Sequence, residues 1–268
     1  MKTLALANQK GGVGKSAVGC QFAFYLVRQG RRVLYLDFDH QKNSSKTIVK
    51  SGKAAVARFS ASQLLAGQGV ALPEGDFVIV QGDDVLSNLE RQPDKHNAFV
   101  NTLKVFLESV ADRFDVCIID TNPNPDIRYA AALVTADFVL SPIQLNQEAL
   151  DGIVGLLNHQ RYGYKKIKAA LNPNLELIGI LPNMVEPTPF QRANFKHLVE
   201  AYSKLLIVID EKQQQFAFIP KRSAIAEAQA EGVFIAEMTK TAARDAWREI
   251  KPSFDVIAQR MGLGVMNA

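Results

Sequence analysis

An apolar strand, Thr3-Leu4-Ala5-Leu6-Ala7, runs into Asn8-Gln9-Lys10-Gly11-Gly12-Val13-Gly14-Lys15-Ser16, and a helix-length stretch follows from Ser16 to about Gln29. Strand, glycine-rich loop and helix in that order make a unit suited to holding phosphate. Glycines let backbone N–H groups turn inward around oxyanions, and the helix N-terminus adds partial positive charge. Within Gly11, Gly12, Val13, Gly14, Lys15, Ser16 and Ala17, Lys15 can reach the β- and γ-phosphates of a nucleotide and the Ser16 hydroxyl can sit on Mg²⁺.

The pattern G-x-x-x-x-G-K-[ST] would place glycine at position 9, where this chain has Gln9, followed by an additional lysine, Lys10. At the start of the loop that side chain can point away from its own phosphates. Lys10 therefore reads either as a solvated surface lysine or as a group serving a nucleotide held by a neighbouring molecule.

Apolar segments at Leu4–Ala7, Val33–Leu36, Phe77–Val80, Val116–Ile119, Phe138–Leu140 and Leu177–Leu181 carry little polar alternation, as strands covered on both faces do. Another strand is expected near Phe216–Ile219. Amphipathic helical stretches lie at Ser16–Arg28, Lys95–Arg113, Glu148–Tyr162 and Thr188–Lys204, a short helix at Ser60–Ala66, and a long one from Met238 to about Met261. The alternation predicts an α/β fold, a doubly wound, mostly parallel sheet with helices on both faces. Residues 43–75 are the least legible, with the basic positions Lys42, Lys46, Lys50, Lys53 and Arg58 just before and within them. No linker or repeat divides the chain, so one domain over residues 1–268 is expected, without a signal peptide or an N-terminal DNA-reading module.

Hydrophobic residues make up 47% of the 268, enough for a full core, and no apolar run is long enough to span a bilayer. The two cysteines, Cys20 and Cys117, read as small buried hydrophobes, and nothing suggests zinc or an iron–sulfur cluster. The scattered His40, His96, His159 and His197 read as surface residues. A net charge of +4 permits a polyanionic partner without requiring one.

Two further segments carry chemistry. Leu36-Asp37-Phe38-Asp39-His40-Gln41-Lys42-Asn43 follows the second strand. Carboxylates there face the ligand crevice of an open α/β sheet, where an Asp orients an attacking water, holds a metal-bound water, or merely caps a turn. Val116-Cys117-Ile118-Ile119-Asp120 is an apolar strand ending in a carboxylate that can bind Mg²⁺ beside Ser16.

Lys10-Gly11-Gly12-Val13-Gly14-Lys15-Ser16 resembles the deviant Walker A motif of the ParA/MinD family of P-loop ATPases, in which the first lysine reaches across an ATP-sandwiched dimer. Asp37, Asp39, Gln41 and Asn43 match the family's Asp-x-Asp-Pro-Gln-Gly-Asn switch, with His40 for proline and Lys42 for glycine. Asp120-Thr121-Asn122-Pro123 matches its Asp-Thr-Pro-Pro, with Asn122 for proline. The resemblance covers nearly the whole chain and points to the short ParA, or Soj-like, type. It implies ATP and Mg²⁺ as cofactors, Lys10, Lys15 and Asp39 as catalytic, and Ser16, Asp39 and Asp120 at the metal. It also implies Asn183 and Pro220 beside the adenine.

Further implications are a homodimer when ATP is bound, non-specific duplex DNA on a basic surface with Arg192, Lys221 and Arg222 as candidates, a ParB-type centromere-binding partner, and a cytoplasmic, nucleoid-associated setting. A MinD-like membrane ATPase is the runner-up, disfavoured because the tail from Met261 to Ala268 has no lysine or arginine. Another cargo-positioning ATPase would share every motif, and a P-loop ligase would have no use for Lys10.

Overall fold

The computed structural model describes residues 1–268 apart from Val70, Gln147 and residues 265–268; the end of the tail whose lack of basic residues disfavours a membrane anchor lies outside the described residues. Its strands are β1 (Lys2–Leu6), β2 (Val33–Phe38), β3 (Ala55–Val56), β4 (Phe77–Val80), β5 (Val116–Thr121), β6 (Phe138–Gln144), β7 (Glu176–Asn183), β8 (Val208–Asp210) and β9 (Gln215–Phe216). Its helices are α1 (Lys15–Arg28), α2 (Asn43–Lys50), α3 (Ala61–Leu65), α4 (His96–Ser109), α5 (Ile127–Thr135), α6 (Ala149–Asn158), α7 (Tyr164–Ala170), α8 (Pro189–Tyr202), α9 (Ser223–Glu231) and α10 (Thr241–Arg260).

Seven strands form one sheet in the order β3-β4-β2-β5-β1-β6-β7, every adjacent pair parallel, as the uninterrupted apolar runs predict. β1, β2 and β5 are buried on both faces. Against one face pack α1, α9 and α10, where Phe22, Tyr25, Trp247 and Phe254 interlock through their rings. Against the other pack α3, α4 and α5 around Phe59, Phe99, Leu103 and Tyr129. The sheet order reverses at β1, so the loops after β1, β2 and β5 open into one crevice at their C-terminal ends. Among the described residues no helix is long and apolar enough to cross a membrane.

Several expectations need correction. The segment around Phe216 is not another strand of the main sheet: β9 pairs antiparallel with β8, and Pro220 bridges back to Val185 beyond β7. The final helix starts at Thr241, because Ile235–Glu237 closes a separate 3₁₀ turn. The helix expected over Glu148–Tyr162 stops at Asn158, and Tyr164–Ala170 forms a second one. His96 is buried, its Nε2 3.2 Å from the Glu90 carbonyl oxygen and its ring against Phe99. Both cysteines are buried, as expected.

Candidate functional site

The turn out of β1 requires backbone that only glycine adopts without strain. Gly12 and Gly14 have φ of 74° and 84°, and a Cβ on Gly14 would lie 2.2 Å from the Asn183 amide nitrogen. Gly14 also caps α1, with no side chain over the first-turn N–H groups. Residues Gly11 through Ala17 line a cavity of about 700 Å³ together with Asp39, Gln41, Asn43, Asn183, Pro220, Lys221 and Arg222. Lys15 is 7% exposed, and its Nζ donates to the Asn8 carbonyl at 3.1 Å. Burial lowers its pKa against the opposing charges of Asp120 and Asp39. A lysine stripped of water in this way interacts strongly with an incoming phosphate.

Two carboxylates lie side by side beneath this cavity, since Asp37 on β2 and Asp120 on β5 are register partners. Both are fully buried. Asp37 accepts from the Ser45 N–H at 2.9 Å, the Ser45 hydroxyl at 2.6 Å and the Asp39 N–H at 3.1 Å. Burial and then the Asp120 charge push its carboxyl up to about 7. Asp120 Oδ2 accepts from the Ser44 hydroxyl at 2.5 Å, while Oδ1 is buried with no partner. Burial pushes Asp120 up as well, opposed by the Ser44 and Ser16 hydroxyls and the Lys15 charge.

An orphaned carboxylate oxygen near the Ser16 hydroxyl suits Mg²⁺, which takes one or two carboxylates and completes its shell with phosphate and water oxygens. Among the described residues no group of three or more His, Cys, Asp or Glu could hold a metal without such help. Asp39, 7% exposed, faces the cavity, its Oδ1 accepting from the Gln41 N–H at 3.0 Å.

The positions that depart from the family pattern have identifiable partners. His40 Nδ1 lies 3.3 Å from Asp39 Oδ1 and 3.3 Å from Nη1 of Arg128. Lys42 adopts φ 60°, a left-handed conformation that costs a non-glycine residue about 1–2 kcal/mol, and its Nζ pairs with Asp84 at 2.9 Å. Asn122 replaces proline's rigidity with hydrogen bonds, donating to Asn124 O and Asp126 Oδ2 at 3.0 Å each.

Lys10 does not line the cavity. Its Nζ donates to Asn146 Oδ1 at 3.3 Å and pairs with Glu148, whose carboxyl it holds below the usual range. Asn183 spends its amide on the Val13 carbonyl at 2.7 Å, bracing the loop. Of the three basic candidates, Lys221 and Arg222 stand at the cavity wall, paired with Glu186 at 3.2 Å and Glu249 at 2.6 Å. Arg192 lies apart on α8, beside an apolar groove with Phe195 and Phe216. Sequence reasoning missed Ser44, Ser45, Lys46 and Lys50 on α2, the two lysines lining the cavity. The Asn43-Ser44-Ser45 run after the loop was the available helix-start signal.

A family model described as an AAA domain matches residues 1–177. The chain is 34% identical over 271 residues to Protein IncC of Escherichia coli, covering 97% of this chain and 70% of that protein. It is 33% identical over 245 residues to the chromosome-partitioning ATPase Soj of Thermus thermophilus, covering 90% of each. A solved structure of cobyrinic acid a,c-diamide synthase from Mycobacterium smegmatis, with bound ADP and magnesium, superposes with a TM-score of 0.70 at 25% identity, covering 86% of this chain and 91% of that one.

Proposed function

Because this chain belongs to the ParA/MinD family of P-loop ATPases and is of the Soj type, we propose that it dimerises around ATP, binds duplex DNA without sequence preference and drives partition of a plasmid or chromosome. The observation that carries the proposal is the direction of Lys10. Its side chain runs along its own protomer to Asn146 and Glu148, outside the cavity that Lys15 serves. A lysine placed there is free to serve a second molecule's phosphates once it leaves Glu148.

In this reading the loop amides and Lys15 bind the phosphates, with Asn183 and Pro220 beside the adenine. Ser16, Asp39 and Asp120 would hold Mg²⁺, which when bound would neutralise charge on the β- and γ-phosphates. Asp39 orients the attacking water, and Lys10 of a second copy completes the site. Arg192, Lys221 and Arg222 contribute phosphate contacts to DNA, doubled in the dimer. A ParB-type partner stimulates a slow hydrolysis, and the protein works as one domain in the cytoplasm on the nucleoid. Similarity to the chromosome-partitioning ATPase of Thermus supports partition. The likeness to a diamide synthase favours one rival, a small-molecule enzyme on the same fold.

Light scattering with ATP separates the readings. Wild type should dimerise, and Lys10→Ala should remain a folded monomer. Dimerisation of Lys10→Ala equal to wild type overturns the trans-lysine reading. An ATP-bound form that ignores DNA and pellets with anionic vesicles replaces partition with a membrane role.

A further inference from the structure

Two serines open α2, and each holds one of the two neighbouring carboxylates. Ser45 takes Asp37 through its N–H and hydroxyl, and its Oγ accepts from the Gly82 N–H at 3.0 Å. Ser44 takes Asp120, with Oγ 2.5 Å from Oδ2. The Tyr35 hydroxyl lies 3.0 Å from that same Oγ.

Proton counting fixes the direction of this chain. Ser44 donates its one hydroxyl proton to Asp120 Oδ2, which leaves the Tyr35 hydroxyl as the donor to Ser44 Oγ. Tyr35, Ser44 and Asp120 are all fully buried, so no water competes. Burial, and then the Asp120 charge, keep the Tyr35 phenol protonated well above its ordinary range. Room for its hydroxyl comes from Gly19 on α1, where a Cβ would stand 2.5 Å from the phenolic oxygen.

With Oδ2 held, the carboxylate cannot rotate freely, and Oδ1 is presented as its buried, unpartnered oxygen. Ser44 also directly follows Asn43, the end of the loop that carries Asp39. We propose that Ser44 is a positioning residue for Asp120, that the relay Tyr35–Ser44–Asp120 sets the affinity of the site for Mg²⁺, and that it ties the metal carboxylate to the loop bearing Asp39. The inference rests on the Mg²⁺–nucleotide reading above. Partners that orient a metal ligand typically change metal affinity 10–100-fold when removed.

The test titrates Mg²⁺ into the full chain with a fluorescent, non-hydrolysable ATP analogue and reads the apparent Mg²⁺ constant, with no turnover involved. Ser44→Ala should weaken that constant at least about 10-fold while Mg²⁺-free analogue binding stays the same. Ser44→Thr should restore it, and Tyr35→Phe should fall between. Ser45→Ala serves as the control for general loosening, lowering thermal stability with the Mg²⁺ constant unchanged. A wild-type constant in Ser44→Ala, or an equal shift in Ser45→Ala, overturns the relay. Should Ser44→Ala not fold, the near-isosteric Tyr35→Phe decides, and an unchanged constant there overturns it. Wild type that binds the analogue with no response to Mg²⁺ overturns the metal reading itself.

Discussion

The floor of the cavity and its rim both carry many charges, and they treat them in opposite ways. On the floor, Lys15, Asp37 and Asp120 are desolvated, each held by partners on other elements. On the rim and the helices beyond it, Lys221, Arg222, Lys240 and Arg248 are exposed, and each rests against an exposed or half-exposed carboxylate. Water screens the rim pairs, so they contribute little to stability and exchange partners cheaply. A buried charge has no such alternative, so its geometry is strict. The floor therefore holds its groups in one geometry, while the rim leaves its charges able to exchange partners.

Four variants bear on that contrast. The largest effect is expected at the floor. Lys15→Ala should abolish nucleotide binding, because a desolvated cation meets phosphate in the ground state. Asp39→Ala should keep binding and lose turnover by about 10² or more, accumulating a trapped ATP dimer. Equilibrium binding and phosphate release separate the two, and full turnover by Asp39→Ala removes that residue from the mechanism. At the rim, replacing Lys221 and Arg222 with alanine should weaken DNA binding while leaving ATP affinity unchanged. The log–log salt slope should fall by roughly one unit for each DNA phosphate that is no longer neutralised. Loss of ATP binding in that double variant would instead assign both residues to the floor.

The smallest effect concerns Asp37. Its folded pKa, about 7, lies above its ordinary value, so the folded state holds the extra proton. The contribution to stability is therefore greatest at low pH and is lost as pH rises from the ordinary carboxylate range through about 7. In the nucleotide-free protein Asp37→Asn should flatten that slope, a change of a few degrees in melting temperature. An unaltered slope would mean that another floor group carries it.

Much of the fold could be read before the structure because its signals are contiguous. The extent of β4 was legible as Phe77–Val80, and β1, β2, β5, β6 and β7 differ from expectation only at their ends. α2 escaped because its buried side is mostly polar: Ser44, Ser45 and Thr47 are buried with Ile48, so no apolar stripe marks the helix. What holds its start is the pair of hydroxyl contacts from Ser44 and Ser45 to carboxylates on β5 and β2. Local propensity does not report hydrogen bonds of that kind.

The chain order of Gly11 through Ser16, the apolar runs and the carboxylates that end them were thus determined by sequence alone, since a phosphate loop and a parallel strand are local patterns with local causes. Only the tertiary structure decided that Lys10 turns to Glu148, that Lys221 and Arg222 stand at the cavity wall beside acidic partners, and that Ser44 holds Asp120 from 76 residues away. The direction of a side chain depends on which distant groups the fold brings within hydrogen-bonding reach, and that distance is set by packing.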